Sequence, residues 1–131
     1  MMNFEQLTIL SQDGTQLIIA DCDLGFFTWP HALEECDKLN KLTNSHWRLP
    51  TCSELKLMYN QLHENGLGHF EPSYYWSSEE INEPDFNLSN WTYQDHAPVL
   101  PNPYAKGCEF EFFGHVSNDS KGFEHFVRLV R

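Results

Sequence analysis

The chain has 131 residues, of which 40% are hydrophobic and 15% aromatic, and its formal net charge is -11 at pH 7. That length and apolar content suit one core, so residues 1–131 are read as a single domain. The acidic balance excludes nucleic-acid binding by phosphate neutralisation, which needs clustered Lys and Arg, and no run approaches the roughly 18 apolar residues required for membrane insertion.

The first residues, MMNFEQLTIL, lack a basic start and a long apolar stretch, so no signal peptide is read and a cytoplasmic location is expected. Residues 7–20, LTILSQDGTQLIIA, set Gln12-Asp13-Gly14-Thr15 between two apolar runs. Asp-Gly tolerates the positive φ of a tight turn, and an antiparallel hairpin is predicted. Thr28 offers a helix cap, and Pro30 fits a first turn, where its missing N–H costs nothing. Trp29, Ala32, Leu33, Cys36 and Leu39 then fall on one face of an amphipathic helix ending near Asn40.

The stretch His46–Leu57, HWRLPTCSELKL, is the centre around which the chain is organised. Thr51 and Glu54 have the spacing of a capping box, in which each side chain bonds the backbone N–H of the other. Pro50 holds Leu49 out of the helical region, so Trp47, Arg48 and Leu49 arrive extended and turn sharply into a helix. This second helix, from about Cys52 to His63, buries Leu55, Met58, Tyr59 and Leu62, and Gly66 and Gly68 stop it.

Beyond Pro72, Tyr74-Tyr75-Trp76-Ser77-Ser78 has the aromatic content of a strand, and Trp91-Thr92-Tyr93 reads as another. Glu79–Asn90 and Gln94–Lys106, rich in Pro, Asn and Asp, are predicted to be long loops, a feature usually tied to function in a compact domain. Cys108–Val116 alternates as one half-buried strand, Asn118–Gly122 makes a turn, and Phe123–Arg131 alternates as a last strand. A hairpin, two helices and then several strands give an α+β domain.

Between Lys56 and Lys106 there is no Lys or Arg, while Glu64, Glu71, Glu79, Glu80, Glu83, Asp85 and Asp95 contribute seven negative charges. Such a run solubilises a surface and also suits a cation or a basic partner. Cys22, Cys36, Cys52 and Cys108 form no CxxC pair and read as buried free thiols, with Cys36 on the apolar helix face. Seven histidines include no HExxH or HxxxH pattern, and His63–His69, HENGLGH, spans a Gly-containing loop, so no protein-built metal site is expected. The sequons at Asn87, Asn90 and Asn118 matter only in a eukaryotic secretory route.

Four stretches, TWPHALEECDKLN, HWRLPTCSEL, YYWSSEE and FVRLVR, occur in the order and spacing of one bacterial and phage family. Over about residues 15–131 the chain resembles the C-terminal domain of the Legionella collagen-like adhesin, a branch of the C-type-lectin-like fold. The broader fold also contains the formylglycine-generating enzyme and the variable proteins of diversity-generating retroelements. The resemblance implies an antiparallel sheet with two flanking helices, termini paired in one sheet, and a long loop region that carries binding. It makes Trp47, Arg48, Leu49 and Pro50, leading into Thr51 and Glu54, a structural corner. Trp76 and Ser77 become a core strand, and Val127, Arg128 and Val130 the closing strand. Arg48 and Arg128 become candidates for buried charge pairs, since a guanidinium satisfies several acceptors at once. Relatives often pair the helix-one cysteine with one in the last strand; Leu129 stands there in this chain, which suits a reducing compartment. The calcium motif of true C-type lectins is not met. Asn82-Glu83-Pro84-Asp85 resembles part of it and Ser89-Asn90-Trp91 has the wrong order, so no cofactor is expected and calcium is the one cation left open.

Three functional classes stand beside one another. The first is a non-catalytic recognition module that binds a protein or glycan ligand through the 79–106 loops. Its contact candidates are Tyr75, Glu79, Glu80, Glu83, Asp85, Trp91, Tyr93, Asp95, His96 and Tyr104, because rings give large contact area at low entropic cost. Core filling is the competing role for Trp76 and Trp91. The second class is a small acidic phage or mobile-element protein that blocks a basic site on a host protein. The third is an enzyme related to the formylglycine-generating enzyme. It would need a copper-binding cysteine pair, which is not evident, or a pair such as Cys108 with His115 or His125. No residue is assigned as catalytic.

Overall fold

Strands β1 (Gln6–Leu10) and β2 (Gln16–Ala20) form the predicted hairpin, with Leu10 opposite Gln16 and Gly14 at φ 85° in the connection. The structure, a computed structural model, describes residues 6–10, 14–20, 22–81 and 104–131. The strand expected at Trp91-Thr92-Tyr93 lies outside the described residues.

A three-residue strand β3 (Gly25–Phe27) precedes helix α1 (Trp29–Thr43). Thr28 is extended as a cap residue should be, yet its side chain makes no cap bond, and the helix runs past Asn40 to stop at Asn44, in the left-handed region at φ 52°. Asn40 is held inside the helix by a longer-range task. Its Oδ1 accepts from the Trp47 N–H and its Nδ2 donates to the Trp47 carbonyl, both at 2.8 Å. Trp29, Ala32 and Cys36 are buried and Leu39 is half-buried, whereas Leu33, predicted on the same face, is exposed at the edge of the stripe.

Helix α2 (Cys52–Gln61) begins with the predicted capping box: Thr51 Oγ1 accepts from the Glu54 N–H at 3.1 Å, and Glu54 Oε1 accepts from the Thr51 N–H at 2.8 Å. A 3-10 turn, His63–Asn65, replaces the predicted last helical residue, and Gly66 at φ 72° ends it. Among the described residues no helix is long and apolar enough to cross a membrane.

The remaining strands are β4 (Tyr74–Ile81), β5 (Tyr104–Glu109), β6 (His115–Ser120) and β7 (His125–Val127), and the main sheet has the order β3-β7-β4-β5-β6. The single strand predicted over Cys108–Val116 is two strands. The chain reverses at Phe113 (φ 57°) and Gly114 (φ 72°), and the N–H groups of Phe112 and Gly114 both donate to the Glu109 carbonyl. Alternating phenylalanines concealed this turn: of the three, only Phe110 is buried, while Phe112 and Phe113 face solvent. Asn118–Ser120, predicted as a turn, completes β6, and the last strand is shorter than expected. The sheet is also not purely antiparallel. The chain crosses from the β6 edge to the far side of β4, so β7 meets β4 in parallel through Tyr75 and Phe126.

The two ends of the fold meet, but not in one sheet as expected: β1 and β2 form a separate two-stranded sheet, and the last residues join β2 and the corner through isolated bridges. Ile18 and Arg131 exchange backbone bonds at 2.9 and 2.8 Å, Ala20 donates to Leu129 at 3.0 Å, and Val130 exchanges bonds with Arg48 on its other side. The terminal residues therefore run between the hairpin and the Trp47–Pro50 corner.

Successive strand residues face opposite sides, and here both sides are covered. Tyr75, Cys108 and Val130 pack with Leu55, Met58, Tyr59 and Leu62 of α2 and its following turn. Tyr74, Trp76, Val127 and Leu129 pack with Trp29, Ala32 and Cys36 of α1 and with Trp47 and Leu49. The helices thus flank the sheet, one on each face, and the Trp47–Thr51 corner carries the chain from one layer to the other. Cys36 and Leu129 share a cluster, so the missing cysteine partner is replaced by apolar packing.

Arg128 is 0% exposed and fully partnered. Its Nε donates to Asp23 Oδ1 at 2.9 Å, and its terminal nitrogens donate to the carbonyls of Ala20, Gly68 and His69. Gly68 (φ 86°) and His69 (φ 54°) adopt left-handed backbone, and their carbonyls reach the guanidinium from the HENGLGH loop. Asp23 is completed by the Tyr75 hydroxyl at 2.9 Å; burial pushes its carboxyl up, against the pull of Arg128 and Tyr75. Arg48 differs from the buried pair expected of it: its side chain is 48% exposed and grips Glu54 with two bonds of 2.7 Å.

Candidate functional site

The segment expected to carry binding springs from a bulged pair of strands. Ile81 and Tyr104 are register partners at the end of β4 and β5, so residues 82–103 leave and rejoin the sheet at adjacent points. The pairing shifts between Trp76, opposite Gly107, and Glu80, opposite Ala105. Ser77, Ser78 and Glu79 therefore face Lys106 alone. A bulge twists and bends its strand and re-aims the side chains on it, which is why bulges recur beside functional sites.

The YYWSSEE stretch has this role because its polar groups tie the bulge to three other elements. Ser77 Oγ donates to the Lys106 carbonyl at 2.7 Å and accepts from the Glu79 N–H at 3.0 Å. The Ser77 carbonyl accepts from Trp29 Nε1 at 2.8 Å, which fixes the start of α1. The Ser78 N–H donates to the Pro50 carbonyl at 2.7 Å, and Glu79 Oε2 accepts from the Cys52 N–H at 2.6 Å. The carboxylate of Glu79 thereby sits on the first turn of α2, where free N–H groups and the helix dipole favour an anion. The stretches HWRLPTCSEL and YYWSSEE are thus two halves of one joint.

The predicted contact residues separate into four groups. Glu79 and Glu80 are anchors of the stem: Glu79 holds α2, and Glu80 pairs with Lys121, whose ammonium also lies 4.5 Å from the centre of the Trp29 ring. Tyr75 is a correction. It is 0% exposed on the α2 face, its ring packs on Phe110 and Phe126, and its hydroxyl donates to Asp23 while accepting from the Glu71 N–H. An aromatic-rich strand covered on both faces leaves no ring free for a ligand. Tyr104 is half-buried at the stem itself, paired in register with both Ile81 and Ser120. Glu83, Asp85, Trp91, Tyr93, Asp95 and His96 lie outside the described residues, as does the partial calcium motif.

Among the structural residues, Trp47 and Pro50 are buried in the corner, Thr51 and Glu54 form the cap, Trp76 donates its Nε1 to the Phe27 carbonyl at 3.0 Å, and Arg128 closes the sheet. Sequence reasoning missed Asn40, Asp23, Lys121 and the bulge. Asn40 had one readable signal, a polar residue where the apolar face of α1 should continue. The other three depend on contacts far along the chain.

Cys108 is buried in the α2-side cluster and its Sγ donates to the Gly114 carbonyl at 3.2 Å. His125 stands on the opposite face against Tyr74 and Trp76, with Nε2 2.7 Å from Asp119, and His115 is exposed. Neither histidine is a hydrogen-bond partner of Cys108. Burial pushes the thiols of Cys36 and Cys108 up to about 11 and about 12, and that of Cys52 upward as well. Among the described residues no three His, Cys, Asp or Glu side chains gather as a metal site.

The family model described as the Lcl C-terminal domain matches residues 9–131. No curated protein matches the chain.

Proposed function

The chain belongs to the Lcl C-terminal domain family, and from that premise we propose that it is a non-catalytic recognition module of C-type-lectin-like fold. It binds a protein or glycan ligand through the region 79–106. The observation that carries this reading is the bulged β4–β5 stem, which returns residues 82–103 to adjacent strand positions and is locked to both helices. A rigid frame that delivers a long polar and aromatic segment is the arrangement by which scaffolds carry variable binding surfaces. Trp91, Tyr93, Asp95, His96, Glu83 and Asp85 are the contact residues of this reading, with Tyr104 at the rim.

The thiols support the non-catalytic part. A buried cysteine whose thiol is raised to about 11 or about 12 is almost wholly protonated near neutrality and is a poor nucleophile. The same buried thiols, with Leu129 where relatives carry a second cysteine, suit folding in the cytoplasm.

A specific observation favours protein over glycan. Glu79 is hydrogen-bonded to the start of α2 and Glu80 is paired with Lys121, yet Glu83, Asp85 and Asp95 follow without any Lys or Arg before Lys106. A run of carboxylates with no Lys or Arg near it in the sequence suits a basic surface, as in an acidic protein that blocks a basic site on a host protein. Glycan and protein arrays probed with the labelled domain at low and high salt test the reading. Salt-sensitive binding to basic proteins supports it in the protein form, and salt-insensitive glycan binding in the glycan form. A turnover that depends on one of the cysteines would overturn it.

A further inference from the structure

The turn between β5 and β6 lies at the other end of the sheet from the 82–103 stem, five residues of β5 away, or about 17 Å. It exposes two adjacent rings, Phe112 at 56% and Phe113 at 82%, with Val116 beside them at 39%. This exposure is built into the fold. Phe113 holds φ 57°, a conformation that is unfavourable for a bulky side chain. The turn closes through Phe112 and Gly114 onto Glu109, and the Gly114 carbonyl accepts from both Lys56 Nζ at 3.0 Å and Cys108 Sγ at 3.2 Å. Gly114 itself lies so close to Tyr59 that a Cβ would stand 2.9 Å from that ring. The rings are held outward by a clamped backbone that a small residue would adopt more easily.

The charges around the tip are mainly acidic. Glu109 and Glu111 flank it on the same hairpin, and Glu64 projects from the 3-10 turn beside Tyr59, whose phenol is pushed up by burial and then by that charge. Lys56 is the cation given to the turn, and its ammonium is engaged by the Gly114 carbonyl. A second copy would set these carboxylates against themselves on a chain of net charge -11, and an anionic membrane would meet the same repulsion.

We propose that the Phe112–Phe113 tip is a second docking site, for a basic and apolar peptide segment of another protein. Its apolar side chains would cover the rings, and its Arg or Lys groups would meet Glu109, Glu111 and Glu64 and stack on the exposed faces. The tip stands at the other end of β5 from the stem of the 82–103 segment, and the proposed site operates without that segment.

The test uses three synthetic twelve-residue peptides: alternating Arg and Leu, alternating Glu and Leu, and alternating Arg and Ser. Binding is read by fluorescence anisotropy and by amide shifts of the labelled domain. The proposal expects the Arg-Leu peptide to bind at least tenfold more tightly than either control and to shift amides of residues 109–116. It expects Phe113→Asn, which tolerates left-handed backbone, to raise the melting temperature and to lower the Arg-Leu affinity at least fivefold. Phe112→Ser lowers it likewise. Equal binding of the acidic peptide, shifts confined elsewhere, or unchanged affinity in the folded Phe113→Asn protein overturns the proposal. So does concentration-dependent dimerisation that Phe113→Asn abolishes, or adsorption to anionic vesicles through the same residues.

Discussion

Arg128 and Asp23 stand 105 residues apart in the chain and meet at 2.9 Å, with the guanidinium sealed from solvent. The pair joins the closing strand to the residue just after the N-terminal hairpin, and Tyr75 ties both to the central strand. Removing one partner leaves the other buried and uncompensated, at a cost of about 3–5 kcal/mol. Asp23→Ala and Arg128→Met are each expected to reduce the urea unfolding free energy by that amount. Tyr75→Phe, which removes one donor to Asp23, is expected to cost about 1–2 kcal/mol.

Glu54 links the Trp47–Pro50 corner to helix α2 and gives the stability a defined pH dependence. Burial alone would raise its carboxyl, but the Arg48 guanidinium and the Thr51 N–H outweigh burial and hold it below the ordinary 4.5. A carboxyl that ionises more readily in the folded chain stabilises the fold above its unfolded value. The contribution is therefore complete above about pH 4.5 and is lost as pH falls through the lowered folded value. Unfolding free energies measured from pH 3 to pH 7 should rise with pH across the lower part of that range. Glu54→Gln should remove this part of the slope.

The thiols should divide by burial. Cys22 is exposed, against the burial expected of it, whereas Cys36, Cys52 and Cys108 are buried as expected, with their thiols pushed up. A colorimetric disulfide reagent at pH 8 should react rapidly with one thiol per native chain, assigned to Cys22 by mass spectrometry. All four should react in denaturant.

Gly107 sits opposite Trp76 with the Tyr74 ring laid across it. A Cβ there would lie 2.3 Å from that ring and 2.5 Å from the Tyr75 carbonyl, which belongs to the paired strand and cannot yield. Gly107→Ala should cost about 1–3 kcal/mol in urea unfolding, the range for overpacking. It should also weaken the Tyr74 hydroxyl bond to Ser117, readable as a shift of the Ser117 and Asn118 amides.

Local chemistry was readable from the chain. The Thr51–Glu54 cap, the apolar faces of Leu55, Met58, Tyr59 and Leu62, and the Asp13-Gly14 hairpin each depend on residues within a few positions. The Phe113 turn was hidden because alternating aromatics read as one strand, and only a backbone reversal at Phe113 and Gly114 distinguishes the two. Tyr75 misled for a related reason. Aromatic content suggests a contact surface as readily as a core, and a sheet covered by a helix on each face turns that strand's rings inward. Glu79 and Glu80 looked like part of an open acidic run because their partners, the Cys52 N–H and Lys121, lie 27 and 41 residues away.

The most direct test of the recognition reading replaces residues 82–103 with a short Gly-Ser connection between Ile81 and Tyr104. Ser77, Ser78, Glu79 and Glu80 tie the bulged stem to β5, to the Pro50 corner, to α2 and to Lys121, so the variant should fold, with an unchanged far-ultraviolet circular dichroism spectrum and cooperative melting. It should also lose every ligand that the folded Phe113→Asn domain still binds on the protein and glycan arrays. A folded variant that keeps those ligands at native affinity would contradict the account and move recognition to another surface of the domain.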